Sequence, residues 1–360
     1  MIMRIKKALF LGTLCTAVSG MSLFAQAGVS YAKSAEKTTE AASSEEAESE
    51  EETSEEVTYP ITIEHAFGET VIESKPERIA TVGWGNQDTP LALGIAPVGV
   101  SAANYGLVTD HKLHLWTDEA FADLGVEEPV VFDDVDGLDF EQISDCNPDV
   151  ILAAYSGMTQ EDYDTLSQIA PVIPYKENPW QTSWREQTIE NAEGMGMKPE
   201  GEKKVKEVED LIAEKLEEYP ELEGIPTAFC WISADDFSTF YVYLPTDPRA
   251  AYLLDLGFTL PESVQKLAGE SNDFSITVSR ENADQLDDIE MMVVYGDENL
   301  VETLQEDKLM SQIPAIKNGA VVVLDSTSAL AASSTPSILS IPYEIDEYLE
   351  MFAKAAENIK

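Results

Sequence analysis

Apolar residues between positions 200 and 219 fall at Val205, Val208, Leu211, Ile212, Leu216 and Tyr219. Steps of three and four place them in one stripe on a helix of 3.6 residues per turn and leave charge on the other faces. Pro199 suits the first turn, and Pro220 blocks continuation. The pattern predicts a helix over residues 200–220, about 30 Å long, with Glu202 and Lys206 one turn apart as a favourable ion pair.

The chain on either side of this helix follows one scheme twice. Residues 61–64 and 69–72 alternate apolar and polar around Gly68, which predicts a small hairpin. Short apolar runs then predict buried strands at 78–82, 98–100, 150–154 and 172–175. Helices are expected at 87–93, 138–144, 160–169 and 184–195. In the second half, strands are expected at 227–232, 239–244, 291–295 and 320–324, and helices at 249–256, 281–286, 300–305 and 345–356. Glu141 opens a helix that leads into Asp149-Val150-Ile151-Leu152, as Glu281 opens one that leads into Glu290-Met291-Met292-Val293-Val294. Strands alternating with helices imply parallel sheets covered on both faces. Two such lobes joined by one helix enclose a cleft, with ligand at the carboxyl ends of the strands. The expected division is a lobe at 59–199, the linking helix at 200–220 and a second lobe at 221–360.

The N-terminal 32 residues read as an export signal: Arg4, Lys6 and Lys7, an uncharged apolar run over 8–24, then small-residue cleavage sites at Ala25-Gln26-Ala27 and Ser30-Tyr31-Ala32. Residues 33–58 form an acidic, Ser- and Thr-rich spacer without the apolar surface needed to fold. The total charge of −46 leaves about −41 on the body after it, which opposes binding to nucleic acid or anionic lipid. The body is therefore expected outside the cytoplasm and soluble, as a monomer. Cys15 follows Gly12-Thr13-Leu14, a poor context for a lipid anchor. Cys146 and Cys230 fall on opposite sides of the linking helix, and no disulfide between them is expected.

From Lys75-Pro76-Glu77-Arg78-Ile79 through Gly83-Trp84-Gly85-Asn86, and on through Leu138-Asp139-Phe140-Glu141, Asn147-Pro148-Asp149 and Asp247-Pro248-Arg249, the chain resembles substrate-binding proteins of iron–siderophore ABC importers. The resemblance covers nearly everything from Tyr59 onward and rests on the order and spacing of these motifs. It implies two Rossmann-like α/β lobes joined by one long α-helix, with the ligand cleft between the lobes. It also implies delivery of a ferric siderophore to a membrane permease and its ATPase. A glutamate on each lobe would dock onto the permease, and the matching positions are Glu141 and Glu281. As first-turn helix acids, both are also favoured by the helix dipole.

A ferric siderophore is a bulky chelate with an organic rim, so its site needs aromatic walls and a few polar or cationic contacts rather than metal ligands. Trp84, Tyr105, Tyr155 and Trp180 follow successive strands of the first half, while Trp231 and Tyr241 belong to the second. These six, with Arg249, are the candidate ligand contacts; Arg185 is the other arginine to weigh. Few cations and many aromatics favour a neutral or cationic chelate, such as a hydroxamate, over a trianionic catecholate. No cofactor is expected. The alternative in the same fold is a haem- or cobalamin-binding protein, whose pocket would also be aromatic. A bare-metal site fits less well, because His65, His111 and His114 all lie in the first half. An enzyme also fits less well: Gly83-Trp84-Gly85 lacks the third glycine of a dinucleotide loop and carries Asp88 instead, and no Gly-x-Ser-x-Gly elbow occurs.

Overall fold

The computed structural model describes residues 57–134, 137–233, 235–297 and 299–359. The expected export signal and all but the end of the acidic spacer lie outside the described residues. Within them, no helix is long and apolar enough to cross a membrane.

Alternating residues build the opening hairpin. Strand β1 (Ile61–His65) pairs antiparallel with β2 (Gly68–Ile72), and Ile63 and Ile72 turn inward. The first sheet then uses β3 (Ile79–Thr81), β4 (Gly99–Ser101), β5 (Val131–Phe132), β6 (Val150–Ala153) and β7 (Val172–Pro174). Its order is β5-β4-β3-β6-β7, with every neighbour parallel. Each residue of β3, β4, β6 and β7 is buried, as helices on both faces require. The crossovers are α1 (Asp88–Ala92), α2 (Leu115–Asp123), α3 (Phe140–Asp145) and α4 (Gln160–Leu166). Helix α5 (Trp184–Gly194) starts at a Ser183–Glu186 capping box and packs on β6 and β7.

The linking helix α6 runs over Lys198–Leu216. It starts two residues before the expected 200, because Pro199 sits within the first turn and does not precede it. It stops short of 220: Glu217 caps it, and Pro220–Leu222 forms a separate 3-10 turn. Its buried face is Gly201, Val205, Val208 and Ile212. Lys206 bonds Asp210 at 2.8 and 2.9 Å, so the expected pairing with Glu202 gives way to the acid on the next turn.

The second sheet comprises β8 (Thr227–Trp231), β9 (Thr239–Tyr243), β10 (Ser275–Ser279), β11 (Met291–Tyr295) and β12 (Val321–Leu324), in the order β10-β9-β8-β11-β12. Strands β8, β11 and β12 are parallel, but β9 runs antiparallel to both β8 and β10. This corrects the expectation of parallel sheets throughout. The connection from Trp231 to Thr239 is too short for a crossover and can only double back. Around it lie α7 (Pro248–Asp255), α8 (Glu262–Ala268), α9 (Leu300–Glu306), α10 (Pro314–Asn318), α11 (Ala329–Ser333) and α12 (Ser340–Ala356). A 3-10 turn, Arg280–Gln285, stands where a helix from Glu281 was expected. The largest core joins Phe229 and Val293 of this sheet to Val205, Val208 and Ile212 of α6 and to Ile345, Leu349 and Phe352 of α12. Cys146 and Cys230 are both free thiols.

Candidate ligand-binding site

Strand β3 lies at the centre of the first sheet, with β4 and β5 on one side and β6 and β7 on the other. The chain reverses its winding between β3 and β6, so the loops leaving these strands part and open a crevice at their carboxyl ends. Trp84 lies in the first loop and Tyr155 in the second. Trp84 N donates to Tyr155 O at 3.2 Å. Asn86, wholly buried, donates from Nδ2 to Val82 O at 2.8 Å and to Tyr155 O at 2.9 Å, and its Oδ1 accepts from Tyr155 N at 3.1 Å. Gly83 holds φ at 82°, and a Cβ there would lie 2.7 Å from Tyr155 O, so only glycine fits. Trp180 joins this pair, with its ring centroid 5.6 Å from that of Trp84 and 5.3 Å from that of Tyr155.

The second lobe brings its own aromatic residues. Tyr295 ends β11, and its ring lies 5.4 Å from Tyr105 of the first lobe and 5.3 Å from Phe229. The Arg249 guanidinium sits 3.9 Å from the centroid of the Tyr243 ring. It donates to the buried Asp247 carboxylate from Nε at 2.8 Å and from Nη2 at 2.6 Å. Burial alone would lower the Arg249 pKa, but the bond and charge of Asp247 outweigh it and fix the positive charge. Burial pushes the Tyr243 phenol up to about 12, and burial also raises Tyr105, Tyr155 and Tyr295, so all four remain protonated hydrogen-bond donors. Trp231 and Tyr241 face each other across β8 and β9, 5.7 Å apart and 42% and 41% exposed. They continue the face that carries Phe229 and Tyr243 beyond the core.

Trp84, Tyr105 and Tyr155 line a recess together with Gln87, Asn104 and Trp116. A second recess, which shares Trp84 with the first, is lined by Asp134, Gly157 and Trp180. Of the expected contacts, Trp84, Tyr155 and Trp180 come together in the first lobe. Tyr105 reaches the second lobe through Tyr295. Arg249 joins the tyrosine cluster, and Trp231 with Tyr241 forms a separate exposed pair. Arg185 is committed elsewhere: it bonds Glu209 at 2.6 Å and Asp255 at 2.7 Å and lies over the Trp184 ring.

Tyr243 and Tyr295 are additions to the expected set. Tyr295 closes β11 much as Tyr155 follows β6, and the repeat between the halves is the sequence signal that marks it. Glu141 and Glu281 are both exposed, and each is the second residue of the short helical turn leading into the strand beside the central one. His111 bonds Asp118 at 2.7 Å, and His114 stacks on Trp116 at 4.7 Å. Among the described residues, no group of three or more His, Cys, Asp or Glu is placed to hold a metal ion.

Two lobes meeting across an aromatic cleft define a solute-binding protein. Residues 79–327 match the periplasmic binding protein family, and the chain belongs to it. Among solved structures it is similar to Streptococcus pneumoniae TIGR4 PiaA in complex with ferrichrome. The two are 47% identical with a TM-score of 0.80, over 83% of this chain and all of that one. It is also similar to the petrobactin-binding protein YclQ of Bacillus subtilis (strain 168), at 25% identity over 81% of this chain and 88% of the relative. Staphylococcus aureus SirA complexed with staphyloferrin B shares the fold, at 23% identity and a TM-score of 0.62.

Proposed function

We propose that this protein captures a ferric siderophore outside the cytoplasm and delivers it to the permease of an ABC importer. The observation that carries this reading is the aromatic cleft, set at the switch point of the first sheet and closed from the second lobe by Tyr295, Tyr243 and Arg249. The 47% identity to PiaA, held in complex with ferrichrome, supports the same ligand class. Residues 59–199 and 221–360 serve as the two gripping lobes, and the helix between them restricts closure to a modest motion. Residues 1–32 direct export, and the protein acts as a monomer, by binding and release, without a cofactor.

Trp84, Tyr105, Tyr155 and Trp180 hold the chelate from one side, and Trp231, Tyr241 and Arg249 from the other. The arginine that joins these aromatic groups, Arg249, is already neutralised by Asp247, and Asp88 and Asp134 line the recesses. That balance suits a neutral or cationic ferric hydroxamate. Tryptophan fluorescence titrated with ferric ferrichrome and with a ferric tris-catecholate tests it. Saturable quenching by ferrichrome at submicromolar concentration, with little response to the catecholate, is expected. Tight catecholate binding without ferrichrome binding overturns the ligand class, and quenching by haem or cobalamin alone overturns the siderophore reading.

A further inference from the structure

Helix α12 belongs to the second lobe in chain order, yet its two ends pack on different lobes. Ile345, Leu349 and Phe352 lie in the second lobe's core with Phe229 and Val293. Its first turn lies on the first lobe: Tyr343 Oη donates to Glu119 Oε1 of α2 at 3.1 Å, and its ring centroid is 6.0 Å from that of Trp116. Leu339, just before the helix, packs against Leu91, Val100, Leu113 and Phe121 of the first lobe. Because α12 also packs on α6, the lobes are braced by a second strut beside the linking helix.

A buried polar contact pins this strut. Asp88, the first residue of α1, is 1% exposed and accepts from Trp116 Nε1 and Thr117 Oγ1 of α2, both at 2.9 Å. Its third donor, Ser337 Oγ, comes from the second lobe. That oxygen accepts in turn from Ser340 N at 3.0 Å, and Ser337 N donates to Ser340 Oγ at 2.8 Å. One carboxylate thus holds α2 and the first turn of α12 together. Hydrogen bonds to a carboxylate are roughly twice as strong as neutral ones, and a buried carboxylate that loses a donor keeps its desolvation cost.

Both residues also line the first recess. That recess takes Trp84, Tyr105 and Tyr155 from the first lobe and Ala332, Thr335 and Pro336 from the second. Its width therefore depends on how the lobes are held, and Pro336 is the chain neighbour of Ser337. We propose that Asp88 and Ser337 are positioning residues, whose bond sets the spacing of the cleft and keeps the unliganded protein in the arrangement that accepts the chelate. The brace is independent of the ligand's identity; only the affinity part of its test rests on the siderophore reading above. Breaking the bond frees the first turn of α12 and lets the lobes sample wider arrangements. Apparent affinity then falls in proportion to the fraction of molecules that keep the competent one.

The test compares lobe spacing with affinity. Spin labels on Glu161→Cys of α4 and Glu302→Cys of α9, both exposed positions, report the distance between lobes by double electron–electron resonance. The reference chain carries Cys146→Ser, and its buried Cys230 stays unlabelled. Ser337→Ala removes the donor from the second lobe. Tyr343→Ala, at an exposed position, loosens the same turn without altering the buried carboxylate. Without ligand, the reference chain should give one narrow distance and Ser337→Ala a broadened distribution. Isothermal titration with ferric ferrichrome should show affinity lowered by the same factor as the population of the reference distance, about tenfold where a tenth of it remains. A narrow unliganded distance in folded Ser337→Ala, or broadening without loss of affinity, overturns the proposal. Should Ser337→Ala fail to fold, Tyr343→Ala carries both comparisons under the same criteria. Absence of ferrichrome binding by the reference chain overturns the siderophore reading, while the unliganded distances still decide whether the strut sets the lobe spacing.

Discussion

Asn86 clamps the backbone of Tyr155 from both sides, donating from Nδ2 to its carbonyl at 2.9 Å and accepting at Oδ1 from its amide at 3.1 Å. The same Oδ1 also accepts from Asn191 Nδ2 at 3.0 Å, so one buried side chain ties the loop of Trp84 to the loop of Tyr155 and both to α5. Asn86→Ala should destabilise the protein by about 3 kcal/mol, since several buried groups lose their partner at once. Asn86→Asp should cost at least as much, because it turns a donor into an acceptor against the Val82 and Tyr155 carbonyls. Urea denaturation at neutral pH measures both. A loss below about 1 kcal/mol for Asn86→Ala would show that the clamp does not hold the site.

Gly157 lies under the Trp180 ring, and a Cβ there would come within 2.4 Å of Nε1. Gly157→Ala must push the indole off Tyr155 and Trp84, and Trp180 is partly exposed and able to move. Ligand affinity should fall about tenfold, as for the loss of an aromatic contact in a desolvated pocket, while the melting temperature changes little. Equal affinity would place Trp180 outside the ligand contacts.

The features legible in the sequence were those with a sustained hydrophobic pattern, continuous or periodic. Buried strands such as β6 and β11 read as continuous apolar runs, and α6 showed its stripe at Val205, Val208 and Ile212. Elements of five to nine residues with weak patterning, including α2, α8, α10 and α11, were not legible, because tertiary packing rather than local preference fixes them. Strand-end aromatics were legible as a set, yet their grouping was not. Nothing local to Arg249 shows that it would lie on Tyr243 and be held by Asp247. Likewise, only the fold brings Ser337 onto Asp88, 249 residues away.

Glu190 gives stability a pH dependence of unusual sign for a carboxylate. Burial, reinforced by the charge of Glu186, pushes its pKa up to about 8 against the partial relief of Lys176, and its Oε2 has no partner. The folded state thus holds this proton more tightly than the unfolded chain, whose ordinary value is 4.5. The contribution to stability is full below that value and is lost as pH rises through about 8. Asp88, pushed up to about 6 by burial, adds a loss of the same sign at lower pH. Glu190→Gln should therefore stabilise the protein at pH 8 and not at pH 4.5, and melting curves across that window test it. A gain independent of pH would show that the side chain is not held protonated.

Glu141 and Glu281 occupy matching places on the two lobes, both exposed, and neither is among the residues that line the two recesses. If both dock on the permease, Glu141→Ala and Glu281→Ala should leave ferrichrome affinity unchanged while lowering uptake. Each substitution should cut ferrichrome-dependent transport several-fold, and the pair together by more, since each removes one charged contact of a two-point dock. The defect should deepen with salt, because the remaining contact is exposed and screened. Transport of radiolabelled ferric ferrichrome by cells carrying each variant, with protein levels matched, gives the reading. Full transport by the double variant would remove these glutamates from the interface, and a parallel loss of ligand affinity would place them in the binding step instead.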